Sequence, residues 1–450
     1  MEPFHHHVFV CTQDKPEGVT CCTGSGSWQV LRALERELLS QGLDNDVQLS
    51  TCGCLGLCEE GPILIAYPDG VWYHKLEVSD VPEIVSSHLR GGKVVARLAW
   101  TDAPAMKAMA LEHRNHFRAI LKARDHAGIL PDDLNEMLRG FMSSRAVLTA
   151  LELNAFTAVG SGASAEQVAQ KIHADSRAAE ILLNVLVSLK LLEKKDGIFH
   201  NTPASARFFC EGSPDNARPA LLHTVNLWDR WSTLTDAVHA GTAVSSRSRD
   251  SEGVVSFIAA MDRNAKERAA SVVTAVGPAG IRRMLDLGGG SGAYSIAFAR
   301  AISDLHSEIL DLAEVVPLTQ GHILEAGLSG RVTTRVGDML RDPLGENYDL
   351  ILVSAICHMF SVEENRSLFA RAYRALAPGG RFVIQDFILE PDKTAPRFAA
   401  LFALNMLVGT RSGSSYSEPE YTAWLRDAGF SEIRRVRLAG PAGLLLALRA

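Results

Sequence analysis

Met284-Leu-Asp286-Leu-Gly288-Gly-Gly290-Ser-Gly292-Ala293-Tyr294 decides the fold of the larger part of this 450-residue chain. A short apolar run enters a tight glycine turn and leaves it in helix formers from Tyr294 to Ala301, so the stretch reads strand, turn, helix. Glycines let a backbone approach a ligand closely. Gly288, Gly290 and Ala293 satisfy a loose G-x-G-x-x-G/A pattern, in which a helix N-terminus faces a pyrophosphate. That pattern alone discriminates poorly. Asp286 changes the reading, because D-x-G-x-G-x-G sets a carboxylate beside the loop, which suits a cationic amino acid group and disfavours a pyrophosphate.

Outward from the turn, strand-like runs alternate with helical ones: Met284 to Leu287, Glu308 to Leu312, Val332 to Val336, Leu350 to Val353 and Phe382 to Phe387. Such alternation predicts an α/β fold with a parallel, doubly wound, Rossmann-like sheet. Arg434 to Leu438 and Leu444 to Leu448, joined by Gly440-Pro-Ala-Gly443, are close enough to pair antiparallel. His358 falls just past the fourth strand, at the carboxyl end where open α/β sheets place reactive groups.

This arrangement resembles the class I S-adenosylmethionine-dependent methyltransferases, and within them the O-methyltransferases with a winged-helix dimerisation domain. Phe141 to Phe156 and Ala178 to Pro203 are similar to that group's N-terminal part, Leu310 to Val316 to the end of its second strand, and Gly337-Asp338-Met339 to the end of its third. With Asp349 to His358 and Ala377-Pro-Gly-Gly380, the resemblance covers about residues 129 to 450. It implies a cofactor site of Asp286, Gly288, Gly290, Gly292, Asp311, Asp338 and Met339. In it Asp311 takes both ribose hydroxyls, Asp338 the adenine amino group, and Met339 packs on the ring. Ile356-Cys357-His358 matches the Ile-Cys-His context of the base in plant phenol methyltransferases, which implies that His358 is catalytic. Methyl transfer from a sulfonium needs the acceptor positioned and, for a hydroxyl, its proton removed, a task that suits histidine. The sequence departs right after it, with Met359-Phe360 in place of Asp-Trp. A structural or substrate-orienting role for His358 therefore stays open. Cys357 reads as a small buried filler. Phe257, Met261, Asn405 and Met406 fall where the group lines its acceptor pocket, although Met and Phe at such spacings also serve as core.

The cysteines tell a second story. Of eight, six fall early, at Cys11, Cys21, Cys22, Cys52, Cys54 and Cys58, while Cys210 and Cys357 stand alone. In a reducing compartment such clustering points to metal or cluster ligation. Only Cys54-Leu-Gly-Leu-Cys58 has close spacing, so zinc is the weaker reading. The surrounding pattern is β-α-β-β-β-α: His7 to Val10, a helix over Ser27 to Ser40 with Trp28, Leu31, Leu34 and Leu38 on one face, Val47 to Leu49, Ile63 to Tyr67 and Val71 to Leu76 around Pro68-Asp69-Gly70, and a helix from Asp80 to Leu89.

With Val10-Cys11, Cys22-Thr-Gly-Ser-Gly26 and Cys54-Leu-Gly-Leu-Cys58-Glu-Glu-Gly61-Pro62, residues 5 to 92 resemble the thioredoxin-like [2Fe-2S] ferredoxins. The resemblance implies a [2Fe-2S] cluster held by Cys11, Cys22, Cys54 and Cys58. Cys21 and Cys52 are spare, and either could replace its neighbour. His5 to His7 read as a solvated end or the start of the first strand rather than a metal tract.

Between these parts, Met106, Met109, Leu111, Phe117, Ile120 and Leu121 among charges predict a connecting helix broken near Gly128 and Pro131. A Ser164 cap, an apolar helix over Ala178 to Leu192 and a hairpin through Glu193 to His200 outline a winged helix. That helix is apolar nearly all round, which argues for burial on both sides and a dimer role rather than groove reading. Leu221 to His239, with Trp228 and Trp231, reads as a helix that fills the core or lines a pocket, the core being favoured, and Gly241 to Gly253 as a boundary loop. The expected domains are 1–92 ferredoxin, 93–128 linker, 129–250 winged-helix dimerisation and 251–450 methyltransferase.

Composition agrees with this reading. Net charge of -7, 47% apolar and 22% charged residues exclude disordered and collagen-like classes and leave no global footprint for nucleic acid. No apolar run approaches a membrane span and no signal peptide is visible, so a cytoplasmic location is expected, with no membrane partner. The expected activity is methylation of a small aromatic or quinol-type hydroxyl by a homodimer, with the ferredoxin part supplying or sensing electrons from a redox partner protein. The alternatives are a redox sensor or interaction protein built on a non-catalytic methyltransferase fold, and methylation of a non-oxygen nucleophile.

Overall fold

A computed structural model describes residues 3–15, 19–128, 130–244 and 251–450, which form two compact units, Met1–Gly140 and Phe141–Ala450. In unit 1, β1 (His6–Cys11), α1 (Ser27–Ser40), β2 (Val47–Cys52), β3 (Leu64–Tyr67), β4 (Val71–Tyr73) and a helical segment over 78–90, which includes the turn α2 (Val81–Glu83), follow the predicted pattern. The sheet order is β2-β1-β3-β4, with β1 parallel to β2 and antiparallel to β3. This puts Cys11 directly opposite Cys52. The buried stripe of α1 runs through Ser27, Val30, Leu31, Leu34 and Leu38. Trp28, expected on that face, is 45% exposed, because its position lies about 100° around the helix from the centre of the stripe.

The expected linker is part of unit 1. Val95 and Leu98 belong to the core formed by Val8, Leu34, Leu64 and Tyr73. They lead into α3 (Ala103–His126), where Met106, Met109 and Ala110 pack against the cysteines. The half-buried positions of α3, at 106, 109, 110, 113, 117 and 120, follow a 3–4 spacing, so one face is covered and the charges lie on the other. The side chain of Leu121 lies outside the described residues. α4 (Asp132–Glu152) spans the division between the units and exposes Met137, Leu138, Phe141 and Met142.

Unit 2 begins with α5 (Ala155–Val159), β5 (Ala163–Ser164), α6 (Ala165–Lys171), α7 (Ser176–Ser188), β6 (Leu192–Lys195), β7 (Ile198–Asn201) and α8 (Pro203–Phe209). Ser164 accepts from Gln167 N and the Gln167 side chain returns to Ser164 N, a reciprocal cap that starts α6. The three strands pair in the order β5-β7-β6. α7 buries Ala179, Leu183 and Leu186 but leaves Ile181 and Val185 exposed, so burial is one-sided rather than all round. α9 (Arg218–Trp231) and α10 (Leu234–Ala240) follow, and α9 contains no fully buried residue. Trp228 and Trp231 line a cleft of 410 Å³ with Phe141 and Leu148, and Trp228 also packs against the core of Leu148, Leu151 and Phe156. The expected boundary loop falls partly on residues 245–250, outside the described residues.

α11 (Ser251–Val276) packs on α9, and with Trp231 Nε1 donating to Asn405 Oδ1 at 3.0 Å this merges the expected middle and C-terminal domains into one unit. The remaining elements are β8 (Arg283–Leu287), α12 (Ala293–Ala301), β9 (His306–Asp311), α13 (Val316–Glu325), β10 (Val332–Val336), β11 (Tyr348–Ser354), α14 (Val362–Ala375), β12 (Leu376–Asp386), α15 (Arg397–Gly409), α16 (Glu418–Asp427), β13 (Phe430–Arg437) and β14 (Gly443–Arg449). The sheet order is β10-β9-β8-β11-β12-β14-β13, parallel except for β14, which pairs antiparallel with β13, as expected, and also with β12. Its strands alternate between two cores: Leu285, Ile351 and Val353 face α14 and α16, while Met284, Leu350 and Leu352 face α11 and α12. Burial on both faces explains the near-continuous apolar runs. Among the described residues, no helix is long and apolar enough to cross a membrane.

Candidate active site and cysteine centre

Strand order reverses between β8 and β11, so the loops after these two strands diverge and open a crevice at the carboxyl edge of the sheet. The glycine turn after β8 lies there, with Gly288, Gly290 and Gly292 at φ 68°, 57° and 78°, values that L side chains adopt only with strain. A Cβ on Gly288 would sit 2.7 Å from Ile356 Cδ1 and 2.9 Å from Met339 Cε, so two other loops close on the turn. Asp311, at the end of β9, accepts from Gly290 N through Oδ2 and from Leu312 N through Oδ1, both at 2.8 Å. Gly288, Gly290, Asp311 and Met339 are thus brought together. Burial raises the Asp311 carboxyl above its ordinary range.

Asp286 stands differently from the expectation. It is fully buried and accepts from Ser295 Oγ at 2.8 Å through Oδ2, while Oδ1 has no hydrogen-bond partner among the described residues. It packs against the turn, since a Cβ on Gly289 would approach Oδ2 to 2.8 Å. Burial pushes its pKa up to about 7. Asp338 is partly exposed; its Oδ1 accepts from Leu340 N at 2.9 Å, and its own N–H is held by Asp342 Oδ2 at 2.7 Å. The residues fit an S-adenosylmethionine molecule: a close-approach backbone turn, an unpartnered buried carboxylate oxygen beneath it, and carboxylates at the ends of successive strands.

His358 lies in a short helical turn, Cys357–Met359, after β11. Its Nδ1 faces Asp386 Oδ1 at 2.6 Å, and its backbone N–H donates to Asp386 Oδ2 at 3.2 Å. Asp386, the last residue of β12, also accepts from Tyr421 Oη and from Phe387 N. Parallel pairing of β11 with β12, Ser354 opposite Gln385, is what brings histidine and aspartate together. With Nδ1 engaged, Nε2 is the ring nitrogen left for chemistry. Phe402 meets the imidazole edge to face at 4.8 Å and Phe387 stacks at 6.0 Å, in contact with Phe398. Asp386 and these aromatic neighbours were missed in the sequence; the one available signal is a polar pair, Gln385-Asp386, closing an apolar strand. Cys357 is buried, and burial drives its thiol well above the ordinary value, in keeping with a filler. Of the expected acceptor contacts, Asn405 is held by Trp231, Met406 is buried, and Phe257 meets His223 edge to face at 5.2 Å.

The family model of the O-methyltransferase domain matches residues 231–431, and that of the O-methyltransferase dimerisation domain matches residues 135–210. The chain is 35% identical over 320 residues to a 3-hydroxy-5-methyl-1-naphthoate 3-O-methyltransferase of Streptomyces sahachiroi, covering 69% of this chain and 92% of that one. The chain belongs to the S-adenosylmethionine-dependent O-methyltransferases. The methyltransferase is also 30% identical over 319 residues to an N,N-dimethyltransferase, OxyT, of Streptomyces rimosus, covering 68% of this chain and 91% of that one. Human N-acetylserotonin methyltransferase in complex with S-adenosylmethionine superposes with a TM-score of 0.63 at 26% identity, over 70% of this chain and 96% of that one.

Unit 1 of the methyltransferase carries the second centre. Cys54 Sγ lies 3.5 Å from Cys58 Sγ, and Cys11 and Cys22 are buried together with Leu57 and Ile63. Cys52 sits beside Cys11, its strand partner. Cys21 turns away: its Sγ accepts from Gly24 N at 3.3 Å and lies 3.6 Å from Asp14 Oδ1. Gly61 is required beneath Cys22, where a Cβ would come within 2.9 Å of Sγ. Hydrogen bonding from Cys22 lowers the thiols of Cys11 and Cys58, the latter to about 5, with Lys15 assisting at Cys58, while Cys22 between them is raised. Thiolates are the usual ligands of iron–sulfur clusters, and Cys11, Cys22, Cys54 and Cys58 are all free. His113 of α3, absent from the sequence-based site, brings Nε2 to 3.7 Å from Cys58 Sγ. The expected histidine tract begins β1 instead: His7 bonds to Ser50 Oγ at 2.9 Å, and His6 lies near Asp69 and His88.

Proposed function

We propose that this O-methyltransferase methylates a hydroxyl on a small aromatic acceptor, with His358 as general base. The observation that carries the reading is the His358–Asp386 pair, held at the carboxyl edge of the sheet among Phe387, Phe398 and Phe402. Aromatic walls favour a planar ring by offset or edge-to-face packing. The name of the Streptomyces sahachiroi relative, whose acceptor is a hydroxynaphthoate, supports the same class.

Bound S-adenosylmethionine supplies a methyl group already activated on a sulfonium. Gly288, Gly290 and Gly292 offer it their backbone, Asp311 the ribose hydroxyls and Asp338 the adenine amino group, while Met339 packs on the ring and Asp286 lies beneath the turn. Asp386 accepts from Nδ1 and so leaves Nε2 of His358 to take the acceptor's proton as the oxygen becomes nucleophilic. The exposed apolar row of α4 and the match to the dimerisation domain support a homodimer.

Cys11, Cys22, Cys54 and Cys58 would hold a [2Fe-2S] cluster, which supplies one-electron chemistry. Joined to a methyltransferase, that chemistry suits an acceptor whose reduced form is the nucleophile, as a hydroquinone is and a quinone is not. The test is transfer of labelled methyl to a panel of phenols, hydroquinones and the matching quinones, with and without the cluster. Quinone methylation that depends on the cluster, re-reduced by dithionite so that two successive one-electron transfers and two protons turn the quinone into the hydroquinone, supports the full reading. Equal methylation of the hydroquinone with the cluster removed, and no dependence for the quinone, sinks the redox part. A second reading, a nitrogen acceptor, rests on the similarity to OxyT; labelled product from an amine, unaffected by loss of His358, would favour it.

A further inference from the structure

Lys15 lies on the loop after β1, and its Nζ donates to Cys58 Sγ at 3.0 Å. The same ammonium contacts His113 Nε2 and lies 5.5 Å from the centre of the Phe117 ring. A lysine has no acceptor to offer, so in this contact His113 Nε2 accepts and Lys15 donates. His113 and Phe117 are one turn apart on the covered face of α3, continuing the line of Met106, Met109 and Ala110. The docking is tight: Gly56, within the Cys54 to Cys58 loop at φ 83°, has room for no Cβ, which would meet the Ala110 carbonyl oxygen at 3.1 Å. Residues 103–126 lie beyond the stretch that resembles a ferredoxin, so this contact is a feature of the joined chain.

Resting on the reading of Cys11, Cys22, Cys54 and Cys58 as ligands of a [2Fe-2S] cluster, we propose that Lys15 and His113 form a built-in tuning pair. Lys15 donates an N–H···S hydrogen bond and its positive charge to the sulfur of Cys58, and His113 on α3 is the positioning residue that orients Lys15. Reduction adds one electron, hence one negative charge, with no bond made or broken. A cation and a donor on a ligand sulfur favour the more negative state, so they raise the midpoint potential. Docking of α3 thereby sets how readily the centre takes an electron.

The test is a potentiometric titration of the full-length, anaerobically purified protein with dithionite as reductant, followed by electron paramagnetic resonance and iron analysis. Lys15→Met is expected to shift the midpoint to more negative potential by the largest amount. Lys15→Arg should stay nearer wild type, and His113→Ala should shift the same way by less with altered g-values. His116→Ala, on the exposed side of α3, should change neither. Loaded Lys15→Met and His113→Ala that titrate with the wild type overturn the proposal, as does an equal shift in His116→Ala. If Lys15→Met does not take up iron, His113→Ala against His116→Ala decides the matter by the same criterion. A wild-type protein with iron but no [2Fe-2S] signal overturns the ferredoxin reading, and this proposal with it.

Discussion

The two centres of this chain are built at the ends of sheet strands by opposite strategies. At the end of β12, Asp386 gathers four hydrogen-bond donors and leaves His358 a single orientation. At the end of β1, Cys11 faces Cys52 across the strand pair, and Cys54 Sγ lies 3.5 Å from Cys58 Sγ. The first site is organised by the protein's own hydrogen bonds, while the second, on the reading proposed above, is completed by a cluster. Catalytic geometry in unit 2 should therefore survive changes that empty unit 1, and local defects should be felt locally.

The largest expected effect is at His358. His358→Ala should lower the turnover of a phenolic acceptor by roughly 10²–10⁴-fold while binding of S-adenosylmethionine, measured by calorimetry, stays within a factor of a few. Loss of binding of the same size would mean that the imidazole is structural. Cys58→Ser, with Cys22→Ser as a second variant, should abolish the iron and the visible absorption of unit 1 yet leave methylation of a hydroquinone unchanged, which chemical iron analysis beside a methyl-transfer assay will show. A parallel fall in both would break the comparison drawn above.

Smaller effects sharpen it. Gly288→Ala should cost about 1–3 kcal/mol of stability in a denaturant titration, because the new Cβ meets Ile356 and Met339 at a backbone conformation that disfavours it. Asp286 gives a pH signature. Its carboxyl is raised from the usual 3.8 to about 7 in the folded chain, so the unfolded state ionises first and folding is progressively penalised between about pH 4 and pH 7, with no further loss above. Relative to Asp286→Asn, the wild-type melting temperature should thus fall across that window and then run parallel. A flat difference would show that the buried carboxylate has a compensating partner.

What could be read from the sequence follows from where its information is local. The sheet of unit 2 was legible because strands buried on both faces are near-continuous apolar runs, and the turn at Gly288 to Gly292 because backbone conformation is written in consecutive glycines. The pairing of Cys54 with Cys58 was legible for the same reason, since their spacing is short. Asp386 was not, since nothing near it announces that β12 will lie beside β11 and carry a carboxylate to His358. Trp28 was misjudged because a spacing of three or four names a face without fixing how wide the buried part of that face is. His113 was hidden by its context, a helix with mixed charges that reads as a connector until its covered face is seen to meet Cys58.

That covered face has a consequence for chain length. Positions 106, 109, 110, 113 and 117 meet the cysteine loop only while the helix keeps its phase. One residue inserted between Ala110 and His113 would turn His113 about 100° around the axis, and two would carry it to the far side. An insertion of seven residues would nearly restore the angle but displace His113 by about 10.5 Å along the axis. Spacers that join two functions are commonly free to lengthen; here the count of residues between Gly56's partner, Ala110, and His113 is as constrained as the interval between two ligands.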